Sequence, residues 1–291
     1  MKKLAICIPT YNRAKLLDRL LKSIPPSPNI VVSVCDDGSS DNTLKVLNKH
    51  KSRFSIKYIY QKNEGRASAL RKSILNVKAE FMLIMGSDDY FTKTGISTIL
   101  NSIKNNKAIK FFVFSTIISS DKGLKSESLK KIPITSYISI RSDYNIKCDL
   151  KEVVDHQLMT KVLYNSPKNI RRIPTSYLWF KLSEKVDCMT VDGDPVIIIE
   201  YSDDGMSNNL LPLKINNPKY IALTYKIAIK SKRYSSIFHR LKYSILFYRY
   251  SFHNNNAKLL KFYHLPYFVT GYLVKVIDRI QLFVQSNKFN L

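Results

Sequence analysis

Asp88 and Asp89 stand side by side in IMGSDDYF (84–91), directly after the apolar run EFMLIM (80–85). Like charges at a strand end have two uses. They turn the chain, since Asp and Ser are good turn formers, or they offer clustered oxygens to a hard divalent cation that grips a phosphate. Other polar residues fall at comparable places: Thr10, Tyr11 and Arg13 after LAICIP (4–9), Asp36 and Asp37 after IVVSVC (30–35), and Asn63 to Arg71 after SIKYIY (55–60). Each group alone reads as a turn. Together they supply the carboxylates, guanidinium groups and aromatic ring that a nucleotide diphosphate needs, provided the fold gathers the strand ends.

The elements that would gather them alternate between strand and helix from residue 3 to about 116. LAICIP is followed by a helical pattern with Leu16, Leu17, Leu20, Leu21 and Ile24 on one face, stopped by Pro25-Pro26. After IVVSVC, Ser40 or Asp41 caps a helix through Leu44 and Leu47. SIKYIY, a helix from Gly65 to Val77, EFMLIM, a helix around 95–105 and KFFVFS (110–115) continue the series. Strands apolar on both faces and separated by helices predict an α/β protein with a parallel sheet covered on both sides. In such sheets ligands lie outside the carboxyl ends of the strands. Beyond 117 the pattern is less regular. We read a Ser/Lys-rich surface loop at 119–131, a helix in RIPTSYLWFKLSEKV (172–186), a strand in PVIIIEY (195–201) and a turn at Asp204-Gly205.

IPTYNR (8–13), VCDDGSSDNT (34–43), NEGRASALRKSI (63–74) and IMGSDDYF stand in the order and at the spacings of family 2 of the glycosyltransferases, which the N-terminal half resembles. More loosely, KCDLKEVVDHQLMTKVLY (147–164), the PTSYLW helix and EYSDDGMSNNL (200–210) are similar to a bacterial subgroup that assembles capsule, O-antigen or related surface glycans. The resemblance implies the GT-A fold, a Rossmann-like, mostly parallel central sheet flanked by helices. Its catalytic domain would cover 1–215, with a nucleotide-binding half at 1–116 and an acceptor half at 117–215. It also implies a nucleotide-diphosphate sugar donor, with a UDP-linked one expected first, and Mn²⁺ or Mg²⁺ as cofactor. Pro9 and Tyr11 would line the base pocket, Tyr11 by stacking, and Asp37 would accept from a ring N–H of the base. Arg71 and Arg66 would pair with the base-recognition acid or the diphosphate. Thr10, Arg13, Asp36, Asn63, Gly65 and Ser87 complete the donor-binding set. Asp88 and Asp89 match the acids that hold the metal, which neutralises charge on the departing diphosphate. Gly86 stands where family members often carry a further acid.

The family places a general base, Asp or Glu, four or five residues before the Trp of the acceptor helix. Thr175 and Pro174 occupy those positions before Trp179, and neither can take a proton. A different carboxylate could serve, with Asp149, Glu152, Asp155 and Asp192 as candidates and Asp149 and Asp155 foremost. Alternatively the acceptor needs no strong base, or the chain is a catalytically inactive nucleotide-sugar-binding or scaffold protein of a glycan-assembly complex. Arg171-Arg172 reads equally as a surface turn and as a contact for a phosphate of acceptor or donor.

Charge narrows the partners. The 291 residues carry a net charge of +25, which favours anionic ligands and surfaces. From Lys214 to the end, fourteen Lys or Arg face a single acid, Asp278. Residues 216–291 form a basic amphipathic helical region, read as helices in IFHRLKYSILFYRYSF (237–252) and LPYFVTGYLVKVIDRIQLFV (265–284). Ile237, Leu241, Ile245, Tyr248 and Phe252 mark one apolar face, and Phe268, Leu273, Val276, Ile277, Ile280 and Phe283 the other. Such faces either pack on the catalytic domain or rest on an anionic membrane through 219–291. Nucleic acid ranks low, because no nucleic-acid module is recognisable. Cys7, Cys35, Cys148 and Cys188 form no CxxC pair, which fits a reducing compartment. No apolar run is long enough to span a bilayer. The expected place is therefore the cytoplasm, peripheral on the inner face of the cell membrane, with a polyprenyl-linked or polysaccharide acceptor.

Overall fold

The computed structural model describes the chain from Met1 to Lys288 apart from residues 121–122, 127–128, 130–131, 166–169, 201–209, 259 and 261. Its strands are β1 (Lys2–Thr10), β2 (Ile30–Asp36), β3 (Ser55–Tyr60), β4 (Ala79–Ile84), β5 (Tyr90–Phe91), β6 (Phe111–Ser120), β7 (Gly123–Lys125), β8 (Leu150–Asp155), β9 (Met189–Val191) and β10 (Ile197–Glu200). The first helices are α1 (Ala14–Ser23), α2 (Thr43–His50), α3 (Arg66–Leu75), α4 (Gly95–Asn105), α5 (Tyr137–Ser142), α6 (His156–Val162) and α7 (Ser176–Ser183). The C-terminal helices are α8 (Leu210–Asn216), α9 (Pro218–Lys230), α10 (Ile237–His253) and α11 (Leu265–Lys288).

The sheet runs β3-β2-β1-β4-β8-β6-β10-β5. The first four strands are parallel, as expected, so the chain leaves each of them at the same rim. Alternate residues of a strand face opposite sides. Leu4, Ile6 and Ile8 of β1 accordingly join the core under α1, while Ala5 and Cys7 join the core shared with α3 and α7. Between β4 and β6 lies β8, antiparallel to both and absent from the sequence reading. Because β8 runs the other way, its first residue, Leu150, pairs with Ser115 near the rim and its last, Asp155, pairs with Phe81 at the opposite end of β4.

The C-terminal helices are packed on this body. Ala228, Tyr234 and Tyr243 belong to the same apolar cluster as Trp179 and Phe180, so burial continues across the junction near residue 216. Crossing α10, α11 comes so close at Gly271 that a β-carbon there would lie 2.6 Å from Cβ of Tyr248. Asp278 on the same face is buried, bound by Arg249 and by His253 Nε2 at 2.9 Å. Phe268 packs on Tyr248 and Phe252 of α10, while Val269, Leu273, Ile277 and Ile280 face away and are 50–58% exposed. No helix among the described residues is long and apolar enough to cross a membrane. The turn expected at Asp204-Gly205 and most of EYSDDGMSNNL lie outside the described residues.

Candidate active site

The loops after β1 and β2 are tied to each other. The backbone N–H of Asn12 donates to Ser39 Oγ at 2.8 Å, Asn12 Oδ1 accepts from Ser40 N at 2.8 Å, and Asp41 Oδ2 accepts from Ala14 N at 2.8 Å. Above this junction Tyr11 is 46% exposed, a free aromatic face at the rim. Thr10, the preceding residue, is buried, and its Oγ1 has no hydrogen-bond partner among the described residues. Pro9 is part of the buried β1 ladder, opposite Cys35.

Asp36 and Asp37 hold their own chain. Asp36 Oδ1 accepts from Ser39 N at 2.8 Å and Oδ2 from the Tyr58 hydroxyl at 3.2 Å. The Asp37 carboxylate, buried, accepts from Gln61 Nε2 at 2.6 Å and from the backbone N–H of Glu64 and Gly65 at 2.9 and 3.0 Å. It therefore fixes the loop between β3 and α3. Gly65 is needed there. Its φ of +97° is left-handed, and a β-carbon would lie 2.6 Å from Cα of Arg171. Through this close approach Arg171 O accepts from Ala67 N at 3.0 Å, and the Arg171 guanidinium donates to Asn63 Oδ1.

The acid pair stands at the end of β4. A β-carbon on Gly86 would meet Asp88 Oδ1 at 2.5 Å and Asp89 Oδ2 at 3.0 Å. Both carboxylates thus lean over the bare face of Gly86, and the missing side chain is what leaves them room. Ser87 is buried beneath. Arg13 pairs with Asp88 Oδ2, and Arg19 binds the Asp88 carbonyl at 2.6 Å and Glu200 Oε2 at 2.6 Å. Below them Lys151 of β8, buried, donates to Ile84 O at 2.9 Å. Burial pushes the Asp89 carboxyl up to about 6; Lys151 opposes the rise, Asp88 and Asp149 add to it, and Arg66 opposes it. Asp149, Arg66 and Lys151 therefore stand within electrostatic reach of the pair. Oxygen donors crowded with like charge fit a hard divalent cation. No group of three His, Cys, Asp or Glu among the described residues could hold a metal ion, so the rest of its shell would come from phosphate and water.

Several expected residues are bound by the chain itself. Arg71 donates through Nε to Tyr164 O at 3.1 Å and anchors the chain after α6 instead. Asp155 caps α6, accepting from Leu158 N at 3.0 Å, and pairs with Lys110 at 3.4 Å, at the far end of the sheet from Asp88. Glu152 is buried and bound by the Tyr137 hydroxyl, which Arg141 also contacts at 2.7 Å. Of the four candidate bases, Asp149 and Asp192 are exposed. Asp149 lies at the rim beside Asp89, and Asp192 follows β9, which pairs with β6. Lys151 and Arg19 were missed by the sequence reading. The only signal was a lysine inside LKEVVD (150–155) and an arginine on the polar side of α1.

The sequence profile of glycosyl transferase family 2 matches residues 5–159, which include every element of this rim up to β8. The chain belongs to glycosyl transferase family 2. Among characterised members, the poly(ribitol-phosphate) beta-N-acetylglucosaminyltransferase TarP of Staphylococcus aureus is 32% identical over 115 residues, 37% of this chain and 35% of that protein. Other relatives are matched over 18–35% of their length, so the family 2 chain described here spans a minor part of each. The fold extends further. The structure of S. aureus TarS with UDP-GlcNAc aligns with a TM-score of 0.65 at 17% identity, covering 93% of this chain and 79% of that one. The mannosyltransferase PcManGT of Pyrobaculum calidifontis, bound to GDP-Man and Mn²⁺, aligns at 0.54 with 13% identity, covering 95% and 87%. The GT-A fold implied by the family resemblance is thereby found in this chain.

Proposed function

We propose that this family 2 transferase moves a sugar from a UDP-linked donor to a bacterial surface glycan, with inversion at the anomeric carbon. The observation that carries the reading is the leaning of Asp88 and Asp89 over Gly86, at the same rim as Tyr11 and the orphaned Thr10 hydroxyl. Tyr11 stacks on the base and Thr10 Oγ1 takes a polar atom of the nucleoside. Asp37 has lone-pair capacity left beside its loop contacts for a base N–H. Asp88 and Asp89 would hold Mn²⁺ or Mg²⁺, whose charge makes the diphosphate a better leaving group. Arg66, close to Asp89, faces the same developing negative charge.

Asp149 is the acceptor base in this reading. As the acceptor hydroxyl oxygen bonds to the anomeric carbon, its proton passes to the Asp149 carboxylate, and the electrons of the broken C–O bond leave with the β-phosphate oxygen. Arg19 keeps the β5 segment in place, stacking over Tyr90 at 4.5 Å while it binds the Asp88 carbonyl. The acceptor class is supported by relatives named for poly(ribitol-phosphate) acceptors. Attachment to an acidic membrane face is supported by the outward apolar residues of α11 next to Lys275 and Arg279. This would place a polyprenyl-linked or polysaccharide acceptor within reach.

Radiolabelled UDP-sugars offered with Mn²⁺ and bacterial glycan acceptors test the assignment. Transfer by the native chain, lost in Asp149→Asn with UDP affinity preserved, is the expected result. The occupation of the usual base positions by Pro174 and Thr175 favours a second reading, a nucleotide-sugar-binding protein without turnover. UDP binding with no hydrolysis or transfer from any donor would select it.

A further inference from the structure

A group of cations lies beside the donor rim, and no salt bridge holds any of them among the described residues. Arg66 opens α3, and among the described residues its guanidinium has no hydrogen-bonded partner. Arg172 follows the Arg171 carbonyl that binds the start of α3, and its own backbone N–H donates to Asn217 Oδ1 at 3.3 Å. Asn217 in turn binds the end of α8, donating to Leu213 O at 3.1 Å and to Lys214 O at 3.3 Å. These bonds bring the start of α3, residue 172 and the end of α8 together. The Nη1 of Arg172 is buried and has no partner among the described residues. A buried guanidinium N–H left unsatisfied is costly unless a ligand completes it. Burial and the charge of Arg66 hold Arg172 below the usual arginine range, and burial, Arg249 and Arg172 hold Lys214 below the usual lysine range. Arg249 is neutralised by Asp278. Arg66, Arg172 and Lys214 are not paired among the described residues. Tyr164 and Tyr220, whose rings meet edge to face at 5.9 Å, stand beside them, the Tyr164 hydroxyl being bonded to Ala67 O at 2.9 Å.

We propose that Arg66, Arg172 and Lys214 form a binding site for a phosphate mono- or diester carried by the acceptor. Planar guanidinium forks and an ammonium suit phosphate oxygens. The donor diphosphate belongs at Asp88 and Asp89, so the anion that completes Arg172 comes from the other substrate. The acceptor assignment rests on the transferase reading above; the anion site itself does not. A phosphate bound here would seat the acceptor next to the leaving group, with Arg66 shared between the two.

The test is calorimetric titration of the full chain with sn-glycerol 3-phosphate at fixed ionic strength, alone and with saturating UDP and Mn²⁺. Wild type is expected to bind glycerol phosphate whether or not UDP is present. Arg172→Gln and Lys214→Gln are each expected to raise its Kd by about tenfold or more, with UDP affinity unchanged and with partial recovery in Arg172→Lys. Lys45→Gln, which removes one charge from an exposed position on α2, is expected to leave both affinities alone. Unchanged glycerol phosphate binding in Arg172→Gln and Lys214→Gln overturns the site. An equal loss in Lys45→Gln overturns it as well, by showing a response to overall charge. Complete displacement by UDP would show that the cations serve the donor and overturns the acceptor assignment. Glycerol phosphate binding through Arg172 without affinity for any nucleotide sugar would end the transferase reading and leave the phosphate site standing.

Discussion

Replacing Asp89 by asparagine is expected to stabilise the unliganded chain while removing the proposed metal-dependent nucleotide-sugar binding. The carboxyl is pushed from the ordinary aspartate value of 3.8 to about 6, burial being the largest cause. An acid whose value is higher in the folded state than in the unfolded chain destabilises the fold wherever it is ionised. The penalty is full above about pH 6, shrinks as pH falls through that value, and is gone below about 3.8. A displacement of that size corresponds to at most about 3 kcal/mol at neutral pH. Asparagine keeps the shape and removes the charge, so Asp89→Asn at pH 7.5 is expected to raise Tm by about 5 °C in the absence of divalent metal. The gain disappears near pH 4. Thermal unfolding in EDTA across pH 4–8 measures it, and the same samples with UDP and Mn²⁺ report the lost ligand stabilisation. A Tm unchanged or lowered at pH 7.5 would refute the account, because it would mean that the carboxylate is held by its neighbours and is not penalised by its burial.

Gly86→Ala places a methyl group between the two carboxylates, 2.5 Å from Asp88 Oδ1; UDP affinity in Mn²⁺, measured by calorimetry, is expected to fall about tenfold, near 1.4 kcal/mol. Gly65→Ala forces a side chain onto the Arg171 backbone at a φ of +97°, and chemical denaturation is expected to show a loss of about 3 kcal/mol. For the proposed membrane contact, Leu273→Glu and Ile277→Glu change outward residues of α11, 56% and 51% exposed, so binding to anionic liposomes is expected to drop with Tm preserved. Such substitutions are a cleaner probe than truncation, because removing α9 and α10 would uncover Trp179 and Phe180.

The α/β class and the parallel order of β1 to β4 were legible because strands buried on both faces are continuous apolar runs, and the helices between them carry a 3.6-residue apolar period. The acid pair was legible because four polar clusters fell at successive strand ends. β8 was not, since Lys151 and Glu152 interrupt its apolar pattern. Both are buried, and only the folded chain supplies their partners, the Ile84 carbonyl for one and the Tyr137 hydroxyl for the other. Once inserted antiparallel, that strand carries Asp149 to the rim and Asp155 to the far end, a division invisible in residues six positions apart. Asp37 and Arg71 show the same limit. A carboxylate or guanidinium at a strand end reads alike whether it meets a ligand or a neighbouring backbone group, and here each binds the chain. Sequence by itself determined which elements form and which chemistry gathers at their ends, because both follow from local periodicity and residue type. Tertiary structure alone decided which charges are spent on the fold and which remain for a ligand, because that depends on partners distant in the chain.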